Sequence, residues 1–241
     1  MSLLAVDQLD VRHGLLQAVR EVSFRIEPGE TIALVGANGA GKTTLLRAIA
    51  GAHPATAGRV LFNGADLTGA PAHRRVGLGI ALVPEGRRLF AQMSVEENLL
   101  LAGAARRTGA WTVDAVMEVF PNLKARRRAR AGTLSGGEQQ ATAIGRALMT
   151  NPELLMLDEV SLGLSPLAVD RVYASLQTLL SSGTTIVLVE QDLSRALRVA
   201  GRVICMLEGK IALEGAAADL TRELVTQAYF GLGKTSTGIA P

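Results

Sequence analysis

The stretch Gly36-Ala37-Asn38-Gly39-Ala40-Gly41-Lys42-Thr43-Thr44 decides the fold of this chain. It fits the pattern G-x-x-x-x-G-K-[ST], in which glycines let successive backbone N–H groups turn towards phosphate oxygens. The apolar, partly β-branched run at 31–35 predicts a buried strand before the loop. Residues 45–50 predict a helix after it, which ends at Gly51. A strand, a glycine-rich loop and a helix in this order predict a site for a nucleoside triphosphate.

Within this loop, different groups are expected to contact different parts of a triphosphate. The backbone amides and the positive helix N-terminus face the phosphates, and Lys42 adds a full charge for the β- and γ-phosphates. The Thr43 hydroxyl is the expected ligand for Mg²⁺. The predicted nucleotide-binding residues are Gly36, Ala37, Asn38, Gly39, Ala40, Gly41, Lys42, Thr43 and Thr44.

The size and composition of the chain suit one α/β domain, with or without an inserted subdomain. It has 241 residues, of which 48% are hydrophobic and 20% are charged. The net charge of only +3 gives no reason to expect nucleic-acid binding. The basic run at 124–130 is local, and we expect it to be a solvated surface, with contact to acidic headgroups or an acidic partner as the alternative.

The chain carries no sequence signal for export or for spanning a membrane. Its N-terminus lacks a basic segment followed by an apolar one, and no run reaches the roughly 18 apolar residues of a membrane span. The single cysteine, Cys205, lies in an apolar, strand-like run and is expected to be a small buried residue of a reducing compartment. If the protein moves a solute across a membrane, another chain must form the path.

The remaining pattern predicts an α/β core with a mainly helical insertion. Strands are predicted at 3–11, 21–26, 59–62, 80–83, 154–157 and 185–189, the first two of them antiparallel. Helices are predicted after the capping box of Ser94 and Glu97, over 113–120, and from Pro166 to Gly183. We therefore predict a single domain over 1–241: a core formed by 1–88 and 151–230, a helical subdomain at 89–150, and a mobile tail at 231–241.

A pair of acidic residues follows the buried strand that is predicted at 154–157. In an open parallel sheet, the carboxyl end of such a strand borders the ligand crevice. We expect Asp158 to hold Mg²⁺ and Glu159 to polarise an attacking water molecule. The pair alone is a weak signal, but together with the phosphate loop it becomes a strong one.

A second glycine-containing helix start lies at Leu134-Ser135-Gly136-Gly137-Glu138. Ser135 and Glu138 have the spacing of a capping box, so this segment is predicted to begin a helix that runs to Leu148. Its glycines leave backbone N–H groups bare at a positive helix end, which makes a second phosphate-binding surface. Two such surfaces in one chain indicate that one of them serves a neighbouring subunit.

These three motifs, in this order and spacing, resemble the ATP-binding subunits of ABC transporters over roughly residues 3–230. Finer segments are similar to the smaller ATPase type of the branched-chain amino acid importers: residues 83–90, 94–99, 132–140, 161–166 and 189–192. The resemblance implies a P-loop NTPase fold of the ABC ATPase type, with an N-terminal antiparallel β region and an inserted helical subdomain. It implies ATP and Mg²⁺ as ligands, and hydrolysis in a head-to-tail dimer in which Ser135, Gly136, Gly137 and Glu138 contact the nucleotide of the other subunit.

The resemblance also implies partners and a location. The second ATPase subunit is the same chain or a paralogous one, and membrane-spanning permease subunits bind to the pair. A periplasmic solute-binding protein takes part indirectly. The chain would then lie at the cytoplasmic face of the inner membrane as a peripheral subunit.

Four positions take their roles from the resemblance and depart from the usual ABC pattern. His13 stands where an aromatic residue stacks on adenine, and Glu85 stands where a glutamine contacts Mg²⁺. Gln191 stands where a histidine contacts the γ-phosphate, which makes it a catalytic candidate together with Glu159. Val160 stands where proline commonly follows the acidic pair. The Glu85 and Gln191 departures match the branched-chain amino acid importer subgroup.

Several alternatives remain open at this point. The solute could be urea, a short amide or an aromatic acid, and the chain could be a regulatory subunit that binds ATP but hydrolyses it weakly. A soluble ABC ATPase of DNA repair or translation is disfavoured, because 241 residues leave no room for its coiled coil or second domain. Leu89, Phe90 and Met93 either pack the inserted helices on the core or line a groove for a helix of the membrane subunit.

Overall fold

The computed structural model describes residues 2–103, 107–181 and 183–232. Its strands are β1 Leu4–His13, β2 Leu16–Ile26, β3 Thr31–Val35, β4 Ala57–Phe62, β5 Ala65–Asp66, β6 Ile80–Val83, β7 Leu154–Asp158, β8 Thr185–Val189, β9 Arg202–Leu207 and β10 Lys210–Ala216. Its α-helices are α1 Lys42–Ile49, α2 Ala72–Leu78, α3 Val95–Ala102, α4 Val113–Val119, α5 Gly136–Leu148, α6 Pro166–Ser181, α7 Leu193–Val199 and α8 Arg222–Phe230. Short 3-10 helices lie at Pro121–Arg126, Ala131–Thr133 and Ala217–Asp219.

The strands form two sheets. The N-terminal sheet is antiparallel, in the order β2-β1-β4-β5. The larger sheet has the order β10-β9-β3-β8-β7-β6, and only β10 runs antiparallel to its neighbour. The carboxyl ends of the central parallel strands therefore meet at one edge, where Asp158 of β7 lies opposite Val189 of β8.

Three apolar clusters hold these layers together. The first lies between the antiparallel sheet, α1 and one face of the parallel sheet. The second joins α3, α4, α5 and α6 to the opposite face, so the helices of the predicted insertion share their core with the sheet. The third packs α7 and α8 against β3 and β9, and it contains the buried Cys205 that the sequence predicted.

The structure extends the sequence prediction in several places. Helices α2, α7 and α8 and strand β10 were not predicted, and β1 and β2 are longer than predicted. Helix α2 has seven residues with two arginines, a histidine and a glycine, so it carries hardly any apolar periodicity. The division into core and insertion stays a prediction, and the predicted mobile tail lies, from residue 233 on, outside the described residues.

The basic run at 124–130 makes mostly internal ion pairs. Lys124 contacts Glu118, Arg126 contacts Glu138, and Arg127 contacts both Glu96 and Asp114. These contacts agree with the expected solvated surface. In the part of the chain that the structure describes, none of the helices has both the length and the apolar character needed to cross a bilayer.

Candidate functional site

The phosphate loop runs from the end of β3 to the start of α1, in a backbone conformation that requires glycine. Gly36, Gly39 and Gly41 have φ values of 148°, 82° and 101°. A Cβ atom on Gly36 would lie 2.3 Å from the Met206 carbonyl oxygen, and one on Gly41 would lie 2.3 Å from that of Ala18. The loop backbone therefore lies too close to the backbone at Met206 and Ala18 for a side chain at Gly36 or Gly41.

Lys42 lies inside this loop. Its side chain is only 4% exposed, and Nζ donates to the carbonyl oxygens of Gly36 at 2.6 Å and Ala37 at 3.0 Å. Burial lowers the pKa of Lys42, and the charges of Glu159 and Asp158 oppose that shift. Nζ is 4.0 Å from Glu159 Oε1. The ammonium group is thus held by the loop carbonyls and lies next to Glu159.

Thr43 and Asp158 form the candidate magnesium site. The Thr43 hydroxyl donates to Asp158 Oδ1 at 3.0 Å, and Asp158 is 1% exposed. Its Oδ2 is buried and has no hydrogen-bond partner among the described residues, and burial raises the pKa of this carboxyl. A hydroxyl and a carboxylate with a free oxygen are hard ligands of the kind that Mg²⁺ prefers, so these residues fit the ion. Glu85 and Thr43 line one cavity, so the Glu85 carboxylate could add a third oxygen ligand.

Glu159 and Gln191 meet at the edge where β7 and β8 end. Gln191 Nε2 donates to Glu159 Oε2 at 2.7 Å, and the Glu159 backbone N–H donates to the Val189 carbonyl at 3.2 Å. Glu159 has a left-handed backbone with φ 49°. The predicted catalytic pair is therefore in direct contact, and Val160 beside it is buried.

His13, the last residue of β1, lines a cavity together with Lys42 and Thr43. Its Nε2 is 3.1 Å from the Thr44 hydroxyl oxygen, and its ring centroid is 4.4 Å from that of His53. His53 Nε2 in turn donates to the Arg12 carbonyl oxygen at 2.9 Å. The sequence analysis did not identify His53, which follows helix α1 and belongs to no motif.

One cavity of about 460 Å³ collects most of these side chains, although Asp158, which bonds to Thr43, and His53 are not among its described lining residues. Its predicted lining residues are His13, Asn38, Gly39, Gly41, Lys42, Thr43, Thr44, Glu85, Glu159 and Gln191. Leu16, Ala18 and Leu162 also line it and were not predicted, because apolar residues at loop ends carry no chemical signal in the sequence. Most of the predicted nucleotide, metal and catalytic side chains thus converge on one crevice at the carboxyl edge of the sheet.

The segment at 134–138, called the signature segment below, lies elsewhere. Its residues 135–138 line a separate cavity of about 770 Å³ between α4, α5 and α6, and the two cavities share none of their described lining residues. Ser135 caps α5, and Glu138 Oε2 accepts from the Ser135 N–H at 2.9 Å and from its hydroxyl at 2.8 Å. The capping box was predicted, and Gly136 and Gly137 form the first residues of the helix.

A buried polar cluster beside the catalytic pair was not predicted. Glu190 is 2% exposed and accepts a hydrogen bond of 2.9 Å from the Ser161 hydroxyl. Its Oε1 and the Tyr173 hydroxyl are buried and make no hydrogen bond of standard geometry among the described residues, but their mutual interaction opposes the effect of burial on the pKa of Glu190. Burial raises the pKa of Glu190. In the sequence, a glutamate at the end of an apolar strand indicates an exposed loop, so only the packing of α6 on β8 revealed this group.

The sequence and the fold were compared with known proteins. The model of the ABC transporter family matches residues 19–161. The high-affinity branched-chain amino acid transport ATP-binding protein BraG of Pseudomonas aeruginosa is 43% identical over 232 residues, which cover 95% of this chain and 100% of that protein. The probable branched-chain amino acid transport ATP-binding protein LivF of Archaeoglobus fulgidus is 36% identical over 216 residues, 88% of this chain and 92% of that protein.

Solved structures of ATP-binding cassettes show the same fold. One from an ABC transporter superposes with a TM-score of 0.84 at 26% identity and covers 96% of this chain and 98% of that one. The ADP conformation of such a cassette superposes with a TM-score of 0.78 at 26% identity and 95% coverage of both chains. The family match, the similar relatives and the shared fold together show that this chain is an ATP-binding cassette of the ABC transporter family.

Proposed function

We propose that this chain is the ATP-binding and ATP-hydrolysing subunit of an importer for branched-chain amino acids. The observation that carries the chemistry is the convergence of Lys42, Thr43 and the Gln191–Glu159 pair on one cavity, with the buried Asp158 hydrogen-bonded to Thr43. The choice of solute rests on the similarity to BraG over the whole length of that protein.

Each group has a distinct task in hydrolysis. The loop amides and Lys42 bind the β- and γ-phosphates, and Thr43, Asp158 and Glu85 would hold Mg²⁺, which neutralises charge on the phosphate oxygens. The Glu159 carboxylate accepts a proton from the attacking water molecule. Gln191 donates to that carboxylate and has a second amide N–H with which it can contact the γ-phosphate. His13 provides a ring for the base.

The signature segment would act across a dimer interface. It lines a separate cavity that shares no described lining residue with the nucleotide cavity, which supports a role outside its own subunit's phosphate site. Two subunits arranged head to tail would bring Ser135, Gly136 and Gly137 of one chain to the nucleotide in the other. The partner is a second copy of this chain or a paralogous subunit.

A groove between α2, β6, α3 and α5 is the proposed docking surface for the permease. It is about 510 Å³ in volume and includes Val76, Leu82, Phe90, Leu101, Ala143 and Arg146. Phe90 is 55% exposed, and the Arg146 guanidinium lies over its ring at 5.8 Å. The exposure of Phe90 favours docking over a core role, whereas Leu89 packs partly buried on the second apolar cluster. An apolar anchor beside a cation is a suitable contact for a short helix. With such a partner, the chain would lie at the cytoplasmic face of the membrane.

Uptake by cells that lack this chain tests the proposed solute. Labelled leucine, urea, a short amide and an aromatic acid are supplied separately, and the chain is restored as wild type or as Lys42→Ala. The proposal predicts that wild type, but not the variant, restores leucine uptake. If uptake of another solute alone is restored, the proposed solute is wrong, but the proposed ATPase role stands.

If the purified wild-type chain with its membrane subunits hydrolyses ATP no faster than Lys42→Ala, the chain is a regulatory subunit.

A further inference from the structure

Two histidine rings are in contact beside the nucleotide cavity. His13 ends β1 and lines the cavity, whereas His53 is the fourth residue after α1 and is not among the described lining residues. Their ring centroids are 4.4 Å apart, and the ring planes form an angle of 40°. The ring that faces the cavity thus rests on a second ring outside it.

His53 also holds the backbone next to His13. Its Nε2 is 2.9 Å from the Arg12 carbonyl oxygen. Because a carbonyl oxygen only accepts, the ring nitrogen of His53 is the donor. That carbonyl belongs to the peptide group that joins Arg12 to His13. One imidazole therefore contacts both the side chain of His13 and the peptide group that leads to it.

The backbone of His53 is bound to the end of α1. Its N–H donates to the carbonyl oxygen of Arg47, in the last turn of this helix, at 3.2 Å. The residue is half-buried, which limits the movement of its ring. The support for His13 is therefore attached to the helix that begins in the phosphate loop.

The first turn of α1 contacts His13 as well. Thr44 is the third residue of the helix, and its hydroxyl oxygen is 3.1 Å from His13 Nε2. Lys42, at the start of the same helix, is the proposed phosphate ligand. Helix α1 thus supports the His13 ring from its beginning, through Thr44, and from beyond its end, through His53.

These supports matter because His13 is an exposed residue at the end of a strand. An exposed side chain moves among several rotamers, and a ligand that selects one of them loses affinity to the entropy of that ordering. A ring that is already oriented avoids this loss. Contacts on His13 from two directions are therefore an advantage for a ring that receives a planar base.

We propose that His53 is a positioning residue that keeps the His13 ring oriented for the base of the nucleotide. Because His53 is attached to α1, it also fixes the position of that ring relative to the phosphate loop. His53 acts through His13 and does not touch the nucleotide. This inference rests on the proposed ATP binding and on the proposed role of His13.

The affinity of the full chain for two ligands tests the proposal. Calorimetric titration with Mg²⁺ present compares ATP with methyl triphosphate, which carries the same charge but neither base nor ribose. The ratio of the two affinities isolates the contribution of the nucleoside, since a damaged phosphate loop or a partly unfolded sample weakens both ligands together. His13→Ala should lower this ratio about fivefold or more, the lower end for a base stacked on an aromatic side chain.

The variants at position 53 separate positioning from folding. His53→Ala should lower the ratio at least about twofold, the lower end of coupling between residues in contact. His53→Phe, which keeps a ring but not the bond to Arg12, should recover part of the loss. The double variant His13→Ala/His53→Ala should lose no more than His13→Ala alone.

The matched control is the third histidine of the chain, His73. It is exposed in α2 and is not among the described lining residues of the nucleotide cavity. His73→Ala should therefore give the wild-type ratio. Thermal unfolding of every variant is measured alongside.

Four results would contradict this inference or its basis. If His53→Ala keeps the wild-type ratio, or His73→Ala lowers the ratio equally, His53 is not the positioning residue. If the double variant loses more than His13→Ala, His53 contacts the nucleotide itself, and acting through His13 is wrong. If His13→Ala keeps the ratio, His13 does not receive the base, but triphosphate binding stands. If wild type binds neither ligand, the proposed ATP binding is itself wrong.

Discussion

The two glycine-containing helix starts of this chain differ in how their backbone amides are satisfied. Helix α1 follows Gly41 in a left-handed conformation, and among the described residues it has neither a side-chain cap nor an acid in its first turn. Helix α5 has a complete capping box from Ser135 and Glu138. The first backbone N–H groups of α1 are therefore available to an anion. At the start of α5, the side chains of Ser135 and Glu138 already accept hydrogen bonds from some of the backbone N–H groups. This difference supports the proposal that the phosphate loop binds a nucleotide alone and that the signature segment completes a site that another chain has formed.

The largest expected difference concerns the carboxylates beside the two helix starts. Glu159→Gln should keep ATP binding and lower turnover at least about a hundredfold, because the group that accepts the water proton is removed. Glu138→Gln should change turnover only slightly, since glutamine also completes a capping box. Steady-state ATPase rates and ATP affinity are measured for both. Equal rates for wild type and Glu159→Gln would contradict the assigned role.

The cations beside the two helix starts should differ next. Lys42 is buried among loop carbonyls, so Lys42→Ala should weaken ATP binding about tenfold or more, the value for a lost charge-assisted hydrogen bond. Arg126 is exposed and pairs with Glu138, so Arg126→Ala should leave ATP affinity nearly unchanged. Titration calorimetry on the isolated subunit checks both. A similar loss in the two variants would mean that the signature segment also binds nucleotide in its own chain.

A third comparison separates the docking groove from the core beneath it. Phe90→Ala should cost less than about 1 kcal/mol in free energy of unfolding, keep basal ATP hydrolysis, and reduce stimulation by the membrane complex. Leu99→Ala is the matched control, because Leu99 is fully buried in α3 and its truncation should cost about 2–5 kcal/mol. Chemical denaturation and ATPase assays distinguish the two. If Phe90→Ala loses as much stability as Leu99→Ala, Phe90 is a core residue.

The smallest effect concerns the pH dependence of two glutamates whose pKa values move in opposite directions. Burial raises the pKa of Glu190, so this group contributes stability below its ordinary pKa and loses it as pH rises through the raised value. Burial also raises the pKa of Glu138, but hydrogen bonds from Ser135 and Arg126 outweigh it and leave that pKa lowered. The contribution of Glu138 is present at neutral pH and is lost as pH falls.

Glutamine variants at the two positions should therefore show opposite slopes. As the pH rises from about 4 to about 8, the free energy of unfolding of Glu190→Gln should increase relative to wild type. Over the same rise, that of Glu138→Gln should decrease relative to wild type. Denaturant unfolding at the two pH values measures this. Parallel slopes would show that the two carboxyls do not differ in their environments as described.

The amino-acid sequence by itself determined the local features of this protein. The phosphate loop, the capping boxes at Ser94 and Ser135 and the acidic end of β7 were all predicted, because glycine conformations, helix caps and apolar runs follow from residues close in sequence. Helix α2 escaped prediction because two arginines, a histidine and a glycine leave its seven residues with hardly any apolar periodicity.

Only the tertiary structure decided which of these features meet. The strand order brings Gln191 to Glu159 across 32 residues, and Asp158 to Thr43 across 115. The link from Arg87 to Gln139 spans 52 residues, and the buried bond between Ser161 and Glu190 spans 29. Such contacts depend on strand pairing and on the packing of helices against the sheet. No local pattern records the last two contacts, because each partner alone is consistent with an exposed loop or helix residue. The motifs and the family resemblance had already given the first two pairs common roles.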